Sequence, residues 1–88
     1  MTPSRDAGPW TRARLREEEA KHGAQSGVLF LPGPDREINP EGCVVVKEED
    51  GRVKVYVLDR GIRHVRWFED EAAAIEYVIR RYVWWEDV

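Results

Sequence analysis

Two histidines, one cysteine, three runs of carboxylates and one group of arginines are the side chains in this chain able to do chemistry. A metal centre needs several ligands at fixed spacing, and no such motif surrounds His22 or His64. His22 sits where a helix should end, and a cation is stabilised there. His64 falls in a strand, facing solvent or a neighbouring carboxylate. Cys43 opens a strand and reads as a small buried hydrophobe; a nucleophile would need a lowered pKa and a base in reach. Glu17-Glu18-Glu19, Glu48-Glu49-Asp50 and Glu69-Asp70-Glu71 offer paired carboxylates, which do acid–base work when burial splits their pKa values. Each run falls on a solvated face, in a turn or at a helix start, so solvation and capping account for them. The same clusters could also meet a basic partner. Arg60-Gly61 with Arg63 and Arg66 suggests phosphate, but no glycine-rich loop precedes a helix. A type I′ turn with charged edge-strand residues explains them, and such charges discourage edge-to-edge aggregation. No catalytic residue, metal ligand or cofactor is expected.

The end of the chain carries a different signal. Trp84-Trp85-Glu86-Asp87-Val88 follows directly on a helix. Adjacent helical residues point about 100° apart, so a core this small has difficulty burying both indoles. Tryptophan is enriched in binding hot spots because it joins large apolar area to a polar handle. Either an indole touches a partner or a second copy, or the two cover the open end of the sheet and the first helix.

The elements that must position these residues fit one domain, since the chain has 88 residues. A 42% hydrophobic content is that of a globular protein. A net charge of −3 argues against a nucleic-acid footprint and for an acidic surface toward a basic partner. A single cysteine excludes an internal disulfide and fits a reducing compartment. No apolar run follows the N-terminal residues and none is long enough to span a bilayer, so neither a signal peptide nor a membrane segment is expected. The expectation is a cytoplasmic protein.

Residues 1–8 are polar and expected to be disordered. Residues 9–22 read as a helix, with Pro9 in its first turn, Trp10 and Leu15 as anchors, and Gly23 as a left-handed cap. Val28-Leu29-Phe30-Leu31 is a short strand or buried plug. Residues 32–42 hold three prolines and two glycines and read as a loop, with Ile38 a candidate pin to the core. Residues 43–68 form a β-meander whose first turn is Asp50-Gly51. In its second strand Val53, Val55 and Val57 share a face, opposite Lys54, Tyr56 and Leu58. In its third, Ile62, His64, Arg66 and Phe68 oppose Arg63, Val65 and Trp67, and the cleaner arrangement points Val65 and Trp67 inward. Residues 70–84 form a helix capped by Asp70, with Ala72, Ile75, Ile79 and Tyr82 as a stripe beside Val78. The fold class is α+β: a small antiparallel meander of three to four strands, with an N-terminal and a C-terminal helix packed on one face.

From Asp59 to Tyr82 the chain reads Asp59-Arg60-Gly61, a strand, Phe68, Glu71, Ala72 to Ala74, Tyr77 and the helix. This segment resembles the C-terminal part of small immunity proteins that accompany bacterial secreted or polymorphic toxins. The resemblance implies a cytoplasmic antidote without catalytic residues that binds one cognate toxin, an NAD-degrading enzyme or a nuclease, and blocks its active site. The partner-binding candidates are Trp84, Trp85, Glu86, Asp87, Asp59, Arg60 and Trp67. A homodimer joined through the free meander edge or the tryptophan tail is the alternative. Less favoured is a small-molecule or nucleotide site built from Arg60, Arg63, Arg66 and His64.

Overall fold

Valines make most of the frame, because β-branched side chains suit a pleated, half-buried surface. The structure, a computed structural model, describes residues 8–22, 27–31 and 42–87. Four strands, β1 (Val28–Leu31), β2 (Cys43–Glu49), β3 (Arg52–Leu58) and β4 (Ile62–Phe68), form one sheet in the order β1-β2-β3-β4. The meander from β2 to β4 is antiparallel, as its turns require. β1 runs parallel to β2, with Val28 beside Val44 and Phe30 beside Val46, so the sheet is mixed rather than wholly antiparallel. The expectations for residues 1–7, Gly23 and the loop with Ile38 lie outside the described residues.

Helix α1 (Arg12–His22) starts later than proline placement suggests. The Thr11 hydroxyl accepts from the Arg14 backbone N–H at 3.1 Å and so supplies the N-terminal cap, leaving Pro9 outside the helix. Helix α2 (Glu71–Val78) is capped by Asp70, whose carboxylate accepts from the Ala73 N–H at 2.8 Å. The chain then winds into a π-helical turn, Ile79–Val83, closed by Trp84 N–H to the Ile79 carbonyl at 2.8 Å. A π turn holds one residue more than an α turn, and this rephases the buried stripe. Ala74, Ile75, Val78, Ile79, Val83 and Trp84 face inward, while Ala72 is exposed and Tyr82 only half-buried.

Both helices cover the same face of the sheet, as expected. Leu15, Phe30, Val46, Val55, Ile75 and Ile79 meet in a single buried cluster. Each such side chain contributes roughly 1.5–3 kcal/mol by leaving water. The opposite face carries a smaller cluster of Cys43, Val45 and Tyr56, flanked by Leu29, Leu31 and Leu58. No helix among the described residues is long and apolar enough to cross a membrane.

Of the three glutamates of α1, Glu17 is solvated as expected, but Glu18 and Glu19 are not. Leu15 is the helix's one fully buried apolar residue, and Glu18 and Glu19, one turn on, are buried beside it. Arg16 pairs with Glu19 at 2.8 Å, and Lys21 lies 3.5 Å from Glu18. The Arg12 guanidinium donates to Glu71 at 2.7 Å, tying α1 to the start of α2.

Candidate functional site

The β3–β4 hairpin holds most of the exposed chemistry. Leu58 pairs with Ile62, so Asp59-Arg60-Gly61 is a three-residue connection rather than a two-residue type I′ turn. Arg60 and Gly61 both have positive φ, 57° and 115°, and at the second value a side chain is strained even in open space. The Asp59 N–H donates to the Gly61 carbonyl at 3.0 Å. The Arg63 guanidinium donates to the Asp59 carbonyl at 2.7 Å and braces the turn.

Strict alternation along β4 fails at His64. Val55 pairs with Arg66 and Val57 with Arg63, so Tyr56 alone stands opposite the two residues His64 and Val65. This is a β-bulge with His64 in the left-handed region at φ 56°. The extra residue regroups the side chains, because cross-strand partners share a face. Arg63, Arg66 and Phe68 lie on the helix side, level with Val57, Val55 and Val53. Ile62 and Trp67 lie on the other side, level with Leu58 and Lys54, and Val65 points with them.

β4 is the edge strand, and every residue from Ile62 to Trp67 is exposed. Ile62, Val65 and Trp67 keep 55%, 44% and 41% of their surface in water, so Val65 and Trp67 do not point into the core as the alternation suggests. The Trp67 ring is flanked by the Arg52 guanidinium at 4.4 Å and the Lys54 ammonium at 5.5 Å, a cation–π arrangement. On the helix side the Arg66 guanidinium lies 5.3 Å from the Tyr77 ring, and Arg81 5.4 Å from the Tyr82 ring. Phe68, Tyr77 and Tyr82 stack in sequence, with centroids 5.3 and 6.0 Å apart. Burial, with a hydrogen bond to Tyr77, pushes the Tyr82 hydroxyl up to about 12 against the opposing pull of Arg81 and Arg66. Among the described residues Arg60, Arg63, Arg66 and Arg81 form no ion pair.

The tryptophan tail divides. Trp84 is buried, its indole N–H donating to Glu18 at 2.8 Å and its ring edge-on to Trp10 at 6.1 Å. Arg14 lies 4.3 Å from the Trp10 ring and 5.7 Å from that of Trp84, and Arg80 approaches both rings at 5.3 and 5.8 Å. Burial pushes the Glu18 carboxyl up, but the Trp84 hydrogen bond, Lys21 and Arg14 outweigh it and hold it below its usual range. Trp85 is 71% exposed and sits at φ 58°, the left-handed position that closes a helix end. The Glu86 N–H reaches back to the Arg80 carbonyl at 2.7 Å, and the Glu86 carboxylate pairs with Arg80 at 3.2 Å. Asp87 is exposed.

The candidate residues therefore fall into two groups on different elements. Asp59, Arg60 and Trp67 belong to the exposed hairpin, and Trp85, Glu86 and Asp87 to the C-terminal segment, with Trp84 beneath the surface. Arg81, Tyr77 and Tyr82 are not among the sequence candidates, and Arg66 is one only for a small-molecule site; the bulge and the π turn that bring them together leave no residue pattern. Cys43 is buried, and burial raises its thiol pKa. Among the described residues no three His, Cys, Asp or Glu side chains are grouped to hold a metal ion. Comparison with protein-family models, with curated proteins and with solved structures found no match.

Proposed function

We propose that this protein is a non-catalytic protein-binding module of the immunity type, which binds a cognate bacterial toxin in the cytoplasm and occludes its active site. The observation that carries the binding reading is β4, exposed from Ile62 to Trp67 at the sheet edge while presenting three large apolar side chains. Exposed apolar surface beside an unpaired strand edge marks an interaction site or an aggregation hazard. The antidote reading adds the resemblance of residues 59–82 and rests on it alone. Trp85 offers a second contact point on the C-terminal segment.

Capture from the source cell's lysate, compared between the native chain and a Val65→Ser/Trp67→Ser variant, tests the reading. A stoichiometric partner held by the native chain and lost by the folded variant supports β4 as the recognition surface. A partner held equally by both places recognition elsewhere. A chain that elutes alone, at its own or twice its mass, removes the antidote reading. Relief of the captured protein's toxicity on co-expression separates an antidote from any other binder.

A further inference from the structure

We propose that the free edge of β4 takes an extended acidic segment of the partner as a fifth strand, its carboxylates on Arg63 and Arg66 and its apolar side chains on Ile62, Val65 and Trp67. This rests on the protein-binding reading above and names the chemistry of what is bound.

The strand's own chemistry selects the occupant. β4 reads Ile-Arg-His-Val-Arg-Trp-Phe, with two arginines, a histidine and no carboxylate. On the helix side Arg63 and Arg66 lack ion-pair partners among the described residues, and Arg81 adds a third such guanidinium beside Tyr82. On the other side the same strand is apolar. A partner strand obeys the same two-residue alternation, so it must be acidic on one face and apolar on the other. The acidic surface expected from net charge is therefore not what this strand offers.

The bulge sets the spacing. Arg63 and Arg66 are three apart in sequence yet lie level with Val57 and Val55, which are two apart on the regular strand β3. A regular strand on the outer edge meets the same two guanidiniums with residues two apart. The recognised pattern is apolar-acidic-apolar-acidic-apolar, with the central apolar residue over Val65.

Two other occupants fit less well. A second copy pairing β4 with β4 about a two-fold axis sets basic strands against each other, and like charges directly opposite are destabilising. A single-stranded nucleic acid would find arginines and one exposed indole, but it makes no use of the unpaired strand edge, and the chain's net charge is −3. Protection of the edge against aggregation explains Arg63, Arg66 and the bulge, but not three exposed apolar residues on the same strand.

A fluorescein-labelled peptide, Val-Glu-Val-Glu-Val between Ser-Gly linkers, is the probe, with lysine in place of glutamate as one control and a short oligouridylate as another. Anisotropy should show binding of the acidic peptide, with amide shifts in ¹⁵N spectra confined to residues 62–68 and their neighbours. Arg63→Glu/Arg66→Glu should weaken it by at least about tenfold and transfer binding to the lysine peptide. Arg63→Gln/Arg66→Gln serves if the reversed variant does not fold, and should weaken binding in the same direction. No binding at millimolar peptide, binding indifferent to charge reversal, shifts away from β4, or tighter binding of oligouridylate would each overturn the proposal. With the lysate partner, loss in Val65→Ser/Trp67→Ser but retention in Arg63→Glu/Arg66→Glu sinks the acidic strand and leaves the protein-binding reading standing. Retention in both sinks recognition at β4 itself.

Discussion

Replacing Trp85 by glycine should leave the fold nearly as stable as before, although it removes the largest side chain the chain has. Three effects oppose one another. Releasing a non-glycine residue from the left-handed region gains about 1–2 kcal/mol. The indole is 71% exposed, so less than a third of its surface is lost from burial. Taking about 200 Å² for a whole tryptophan, that is about 60 Å², or about 1.5 kcal/mol at 25 cal/mol per Å². Glycine also loosens the unfolded chain, which costs about 0.4–1 kcal/mol. The sum runs from near zero to about 1.5 kcal/mol of destabilisation, a midpoint fall of no more than about 6–12 °C for a domain of this size. Trp84→Ala differs in kind. That indole is buried, packs on Trp10 and satisfies Glu18, so its loss should cost about 3–5 kcal/mol. Urea denaturation followed by far-ultraviolet circular dichroism measures both. A cost above about 2.5 kcal/mol for Trp85→Gly would show that its indole is structural, and the division of the tail into buried and presented halves would be wrong.

Three further outcomes follow from the same geometry. Glu18 has its folded pKa lowered, so its contribution is present above the unfolded value of about 4.5 and is lost as pH falls through the folded one; Glu18→Gln should flatten acid unfolding below pH 4.5, measured by circular dichroism. Tyr82 has its folded pKa raised from 10 to about 12, so the associated stability is complete below pH 10 and drains away between 10 and 12. Allowing for partial exposure, the effect is about 1 kcal/mol, and Tyr82→Phe should remove that slope in alkaline denaturation curves. Cys43 is buried with a raised pKa, so a disulfide thiol reagent should react with the unfolded chain and leave the native one unmodified; rapid native labelling would contradict the packing of Cys43 with Val45 and Tyr56.

What the sequence disclosed was whatever depends on near neighbours. Asp50-Gly51 announced its hairpin because both positions need positive φ, and both have it, at 54° and 78°. Val53, Val55 and Val57 disclosed the inner face of β3, and Asp70 its cap. The misreadings arose where one extra residue shifted a phase. The bulge at His64 moved Ile62 to the side of Trp67 and Arg63 to the side of Phe68, and histidine gives no glycine-like warning of a left-handed residue. The π turn did the same to α2, exchanging Tyr82 for Val83 and Trp84 in the buried stripe. Glu18 was misread for another reason. Its indole partner lies 66 residues away, beyond the reach of any local pattern.

The positions of backbone strain bear on the proposed binding surface. Among the described residues, four that are not glycine have left-handed φ: Asp50, Arg60, His64 and Trp85. Asp50 is accounted for by its hairpin, where aspartate is a preferred residue. The other three are arginine, histidine and tryptophan, of which only histidine is enriched in that region, and all three are exposed. Arg60 and His64 flank the start of β4, and Trp85 closes the π turn. Glycine at any of them would relieve about 1 kcal/mol or more of strain. Arg60 serves the hairpin turn and Trp85 the helix end, where the Glu86 N–H closes on the Arg80 carbonyl at 2.7 Å, but glycine would serve both backbone positions, and Trp85 keeps most of its surface in water. Strain of this kind gathers where a surface is shaped for something other than stability. Under the proposed binding function, the β3–β4 hairpin and the exposed indole are where a partner's contacts would offset that cost.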